Sequence, residues 1–447
     1  MRIFTKFIIL CFFSKIAFAN ISMIRDGEIE DFLAQAINPI IESANLDKKN
    51  IKIYLVNDST LNAFVSGGQN IFINTGLLRK FSTPDALIGV IAHEVGHIKA
   101  GHLVRNSEGF DDSKTAMILS YLLGVGAMAA GSYDGGAALI LGGTHIADRM
   151  QQKYTRTQEE AADQYAIKFL DKIAYPADGL VKLLKYFENE FKPYEPMIDE
   201  YALSHPISQK RIDLIVDRTK DKKFSNQEIN FSLQPIMNII LAKLEGFMDN
   251  PVDLIKKYKK DKSELGKYML AIAYHRHGNY QESIELIDNV IDSFKTQENH
   301  FNLAYLYELK GQFLFESGHP KEALIYLNKA IKILDPKNSS LAKITFSDAV
   351  IAAKIADKEI LQLTLKYLLE AKNYEKLNAQ LYLKLSKIYY NLGQEGNSYL
   401  ALANYNLIIE DQDKSEKYAK KAQEIFKKNN DEQSLIVVED LLKVIKK

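Results

Sequence analysis

Cysteine is almost missing from this 447-residue chain, which has Cys11 and no other. That residue falls within residues 1–19, which read as an export signal. Arg2 and Lys6 form the basic start, residues 7–13 the apolar centre, and Ala17-Phe18-Ala19 a small-x-small cleavage site. The apolar run is too brief to cross a bilayer, so the expectation is cleavage after Ala19 and a mature start at Asn20. Leu10, where a small residue would precede a lipidated cysteine, argues against a lipoprotein. A mature chain without cysteine has no disulfide framework and no thiol nucleophile, which fits export to a bacterial periplasm.

Net charge is missing too. Lysine plus arginine balance aspartate plus glutamate at 57 each. Nothing therefore marks a nucleic-acid partner or an anionic membrane surface. Apolar runs of membrane length are also lacking. Residues 117–130 and 137–141 are apolar, but a glycine-bearing break at 131–136 divides them, and neither half reaches the ~20 residues of a span. Two readings stay open for 117–141: a buried helical hairpin, or a mobile lid or peripheral membrane contact over the active site.

What the chain does have is His93-Glu94-Val95-Gly96-His97. Residues four apart share one face of a helix, so His93 and His97 can reach a single metal ion, with Glu94 beside them as a general base. The helix is signalled by Ser82-Thr83-Pro84-Asp85, which offers a capping hydroxyl, a proline at the first turn and an acid near the N-terminus. Ala86, Leu87, Val90 and Ile91 supply its apolar stripe.

A zinc hydrolase usually has a third protein ligand. The metzincin pattern would need histidine and glycine at positions that hold Leu103 and Ala100, which excludes that class. His102 would point away from the metal face if the helix continued, so it reads as a helix-end or supporting group. A second helix, over about 155–171, contains Arg156-Thr157-Gln158-Glu159-Glu160-Ala161-Ala162-Asp163. Glu159 and Asp163 share a face there, so Glu159 can ligate while Asp163 orients a ligating imidazole. Ala161 and Ala162 are small enough to let two helices approach closely.

The mixed pattern up to about residue 218 includes a strand at 51–56 and two strands within 62–74, broken at Gly67-Gly68. Residues 220–230 are charged and polar, and helical patterns follow. Gly278 and Gly318 mark two segments 40 residues apart. One carries Tyr274, Ser283 and Ile287; the other carries Leu314, Ala323, Leu327, Ala330 and Pro336 and fits a tetratricopeptide pair. Tyr382, Leu385, Tyr389, Gly393 and Ser398 give a third candidate, and 349–369 and 403–426 read as degenerate pairs. Four or five pairs are expected, stacked as a short solenoid.

H-E-x-x-H followed by R-x-x-E-x-x-A-D resembles the gluzincin peptidases related to the CAAX prenyl protease, the HtpX heat-shock protease and mitochondrial Oma. Asn62-Ala63-Phe64, the run 71–78, and His205-Pro206 with Arg211 also look like that family. The resemblance implies one zinc per chain on His93, His97 and Glu159, Glu94 as general base, and Asp163 as orienting residue. It also implies that His205 lies near the metal, stabilising an oxyanion or capping the zinc in a latent state, and that Arg211 orients that loop or neutralises charge.

The fold expected is α+β, mostly α: a zincin-type peptidase domain with a small sheet at 20–219, a linker and connecting helix at 220–250, and an all-α tetratricopeptide domain at 251–447. The export signal and repeats make the resemblance one to exported members of the family. These imply a periplasmic endopeptidase for unfolded or misassembled outer-membrane proteins, with assembly machinery bound through the repeats. Residues 71–74 are expected to pair with an extended substrate. The alternative is a scaffold or chaperone whose peptidase site is largely latent.

Overall fold

The computed structural model describes residues 22–66, 69–102, 155–190, 205–220, 228–296 and 302–445. The export signal, the break at Gly67-Gly68, Leu103, the stretch 117–141 and most of the charged linker therefore lie outside the described residues.

Strand β1 (Ser22–Ile24) leads into helix α1 (Gly27–Ser43), capped by Asp26, whose side chain accepts from the Ile29 amide. Strands β2 (Lys52–Asn57), β3 (Ala63–Ser66) and β4 (Asn70–Asn74) complete a four-stranded sheet of order β1-β2-β4-β3. β4 runs parallel to β2, with Leu55 opposite Ile73, and antiparallel to β3, with Phe64 opposite Phe72. Both sides of β4 are thus occupied. Residues 71–74 cannot pair with a substrate, contrary to expectation, and the edge on that side of the sheet is β3.

Helix α2 (Thr75–Lys80) follows, then α3 (Pro84–Ala100), which carries the two histidines. Thr83 is its N-cap, but the hydroxyl makes no capping bond; Pro84 sets the first turn instead. Helix α4 (Arg156–Lys172) starts with a full capping box between Thr155 and Gln158. Ala162, Ala166, Ile167 and Leu170 are buried along it, as the periodicity predicts. Helices α5 (Asp178–Glu190) and α6 (Gln209–Thr219) complete this half.

Helix α7 (Glu228–Met248) belongs to two cores. Leu233, Met237, Ile240 and Leu244 pack with the sheet and α1 to α6, while Ile239 and Ala242 pack with the helices that follow. Those are α8 (Pro251–Tyr258), α9 (Glu264–His277), α10 (Tyr280–Thr296), α11 (Leu303–Glu316), α12 (Pro320–Ile333), α13 (Ser340–Ala352), α14 (Lys358–Lys372), α15 (Ala379–Asn391), α16 (Glu395–Ile408), α17 (Gln412–Lys428) and α18 (Glu432–Ile445). From α9 onward they stack as hairpins around three further apolar cores.

A repeated bond ties these hairpins. Ser283 Oγ donates to the Ala271 carbonyl at 2.7 Å, Ser398 to Ser386 at 2.9 Å, and Ser415 to Ala403 at 2.9 Å, each pair twelve residues apart. Gly278, Gly318 and Gly393 turn in the left-handed region; Lys354, Glu410 and Asn430 adopt the same conformation without being glycine.

The start of α1 lies against the repeats. Lys243 bonds Asp26 at 2.6 Å and Glu28 at 3.0 Å, and the Tyr268 hydroxyl donates to Glu28 at 3.3 Å. Arg25 reaches Glu375 at 2.8 Å, and Asn338 donates to Asp31 at 3.1 Å. These contacts fix the sheet-bearing half relative to the helical half.

Candidate metal centre

α3 and α4 cross in close contact, and the reason lies inside the motif. A Cβ added to Gly96 would stand 2.5 Å from the Ala162 carbonyl oxygen, so only glycine lets the two backbones meet there. Close approach is predicted from the alanines of α4, but it depends on Gly96 of α3. A glycine among the intervening residues of the metal-binding turn was the available signal.

That approach brings His93, His97, Glu159 and His205 together, with their ligating atoms all within 4.8 Å of one another. His93, Glu94, His97, Glu159 and His205 are each 0% exposed. His93 Nε2 and His97 Nε2 are 3.1 Å apart. Glu159 stands 3.4 Å from the former and 3.3 Å from the latter. His205 Nδ1 lies 3.3 Å from His93 Nε2 and 3.1 Å from Glu159 Oε1.

These separations suit zinc. Metal–ligand bonds of about 2.0–2.1 Å in a tetrahedron place ligand atoms about 3.3 Å apart. The chemistry agrees. The Nδ1 atoms of both imidazoles on α3 are engaged, His93 with Asp163 at 2.9 Å and His97 with His102 at 2.9 Å. An imidazole that donates from Nδ1 presents a lone pair at Nε2, and two facing lone pairs repel unless a cation lies between them.

Charge in the cluster follows the same pattern. Burial pushes the His93 imidazole down, but the carboxylates of Asp163 and Glu159, which accept its hydrogen bonds, outweigh it and raise the ring to about 10. Burial lowers His97 to about 3. Burial also works to raise Glu159, yet His205, with His93 and His97, holds that carboxyl well below the usual range. His93 and Glu159 thus favour positive charge at the centre of the cluster, whereas burial disfavours it on His97.

Glu94 stands apart from this network. Its two oxygens are buried and make no hydrogen bond among the described residues, and His205 Nε2 is 3.6 Å from Oε1. Burial raises its pKa, with His205 and His93 opposing. A carboxyl so placed is a stronger base than one in water.

Arg211, 1% exposed, ties the outer part of the site together. It binds Asp163 twice, Glu159 at 2.7 Å and the Pro206 carbonyl at 2.9 Å. One side chain thereby fixes Glu159, the partner of His93 and the loop that carries His205.

His102 lies just past the end of α3, as expected of a helix-end or supporting group: Gly101 ends the helix in the left-handed conformation, φ 67°, and His102 folds back against His97.

Residues 27–219 match the profile of Peptidase family M48, and residues 265–335 match a tetratricopeptide repeat. Over 279 residues the chain is 23% identical to the Beta-barrel assembly-enhancing protease of Yersinia pestis, covering 61% of this chain and 57% of that protein. It is 25% identical to the protein of the same name from Escherichia coli, covering 41% and 38%. It is also 25% identical to the Mitochondrial metalloendopeptidase OMA1 of Saccharomyces cerevisiae, covering 39% and 49%. The match thus spans about half the length of these relatives. Among the described residues, no helix is long and apolar enough to cross a membrane.

Proposed function

We propose that this protein is a zinc-dependent endopeptidase of the periplasm, a reading supported by the match of residues 27–219 to Peptidase family M48. It acts in envelope quality control on unfolded or misassembled outer-membrane proteins recruited through its repeats. The observation that carries this reading is the buried set His93, His97, Glu159 and His205 with Glu94 beside it.

His93, His97 and Glu159 would hold zinc, which supplies Lewis acidity for carbonyl polarisation and water activation. Glu94 takes the proton of the attacking water and returns it to the leaving amine. Its burial suits both steps, because it keeps competing water away and leaves the carboxylate short of hydrogen-bond donors. Asp163 and Arg211 hold His93 and Glu159 in orientation. An extended substrate would pair with the edge strand β3, main chain to main chain, with little selectivity for side chains. Selection among clients then falls to the repeats.

His205 supports the capping role rather than the oxyanion role in this arrangement. Its Nδ1 stands among the donors, where a substrate carbonyl would have to go. The complete burial of the site also favours the second reading, a repeat scaffold whose peptidase is latent until the His205 loop moves.

The test compares Glu94→Gln with wild type for zinc content and for cleavage of unfolded casein. The variant is expected to keep zinc and lose cleavage; cleavage at the wild-type rate would overturn the assignment. Rescue of an export-stress phenotype by Glu94→Gln would favour the scaffold.

A further inference from the structure

His93 and His97 are both turned by a partner at Nδ1, but the partners differ in kind. His93 meets the carboxylate of Asp163, whereas His97 meets a third imidazole, His102, at 2.9 Å from Nδ1 to Nδ1. The His97 and His102 rings cross at 67° with centroids 5.1 Å apart, and His102 is 3% exposed.

The backbone is built to make this contact. On a continuing helix, a residue five places beyond His97 would sit roughly 140° round the axis, out of reach of its ring. Gly101 prevents that: at φ 67° its amide caps the His97 and Ile98 carbonyls, and the chain reverses so that His102 returns to the His97 ring. A Cβ at Gly101 would meet nothing within 4 Å, so the glycine serves the left-handed conformation and not packing.

We propose that His102 is a positioning residue for the metal centre, accepting the Nδ1–H of His97 and so aiming the Nε2 lone pair of that ring at the metal. This role rests on the peptidase reading above. The direction of the bond follows from ligation itself. If His102 donated, His97 would carry its proton on Nε2 and could not be a ligand. His102 therefore has a bare Nδ1 and a proton on Nε2.

Charge explains why an imidazole, and not a second carboxylate, holds this place. Glu94, Glu159 and Asp163 together balance Arg211 and one dication, all within a water-excluded site. A fourth carboxylate beside His97 would leave a net negative charge buried and unmatched, which is costly. A neutral ring orients the ligand without that cost.

The experiment uses the full chain and a pair of substitutions of equal size. His102→Leu removes the acceptor, and His102→Asn keeps one near the position of Nδ1. Zinc affinity, measured by competition with a chromogenic chelator, should fall about 10–100-fold in His102→Leu, the usual loss on removing an orienting partner, and recover to within about 3-fold of wild type in His102→Asn. Equal affinities in wild type and His102→Leu, or no recovery in His102→Asn, would overturn the role. The cobalt-substituted proteins give a second readout: the visible spectrum should shift in the leucine variant and return in the asparagine one.

If the leucine variant does not fold, nitrogen NMR of histidine-labelled, zinc-loaded wild type decides. His97 should be protonated at Nδ1 and His102 bare there, and the reverse pattern would overturn the proposal. A wild type that takes up no zinc would sink both this role and the peptidase reading. Unchanged zinc binding in His102→Leu would sink this role alone.

Discussion

The guanidinium of Arg211 grips Asp163 at both oxygens, Nε to Oδ2 at 2.7 Å and Nη2 to Oδ1 at 2.9 Å. Such a fork matches a carboxylate in a way that a lysine cannot. Asp163 in turn holds His93, and its own carboxyl stays ionised because Arg211 and His93 outweigh the effect of burial.

Replacing Arg211 by Met would strand Asp163 and Glu159 as buried charges. A loss of about 3–5 kcal/mol in unfolding free energy is expected, as for a broken buried pair. Arg211→Lys should recover only a minor part. Urea denaturation and zinc analysis check both, and a lysine variant equal to wild type would contradict the fork.

Gly96→Ala tests the helix crossing. The added methyl would press on the Ala162 carbonyl, so α3 and α4 must separate. The expected cost is about 1–3 kcal/mol, together with weaker zinc binding, since the ligands sit on both helices. Thermal melting with and without zinc measures it. An unchanged melting temperature would show that the crossing can relax.

Lys243 offers a test of the contact between the two halves. It is 5% exposed and bonded to Asp26 and Glu28. Lys243→Met leaves those acids without their cation, at an expected cost of about 3–5 kcal/mol. Limited proteolysis should then cut more readily between the halves, and an unchanged digestion pattern would contradict this.

Glu308 makes the same interface sensitive to pH. Burial, then the nearby charge of Asp26, raises its pKa to about 8, from 4.5. Between those values the folded chain holds a proton that the unfolded chain has released, so this group's contribution to stability falls as pH rises from about 4.5 to about 8. Glu308→Gln should remove that slope and stabilise the protein by about 1–2 kcal/mol at pH 8, a figure discounted for partial solvent access. Urea midpoints at pH 5 and pH 8 decide the matter; parallel behaviour of variant and wild type would exclude Glu308 as the source.

Much of the site was legible because it depends on helical spacing. His93 with His97, and Glu159 with Asp163, each lie four apart, and periodicity alone puts each pair on a face. What escaped the reading depends on single backbone conformations or on distant pairing. His102 reaches His97 only because Gly101 turns left-handed. Strands β2, β3 and β4 were recognisable as strands, but their order in the sheet was not, because partners in a sheet are set by tertiary packing. The repeats faded where Lys354, Glu410 and Asn430 take turns that glycine makes elsewhere, which hides the glycine that marks the pattern. The docking of α1 on the repeats joins residues over 200 positions apart, and no local pattern announces it.

The double membership of α7 has a practical consequence for anyone cutting the chain. The family match stops at Thr219, but Leu233, Met237, Ile240 and Leu244 of α7 pack on the apolar core of that half. A fragment ending at 219 would carry an open greasy scar and aggregate. One extended through Met248 would instead bear Ile239 and Ala242 on its outside, a smaller wound. The boundary of resemblance and the boundary of independent solubility are two different places on this chain.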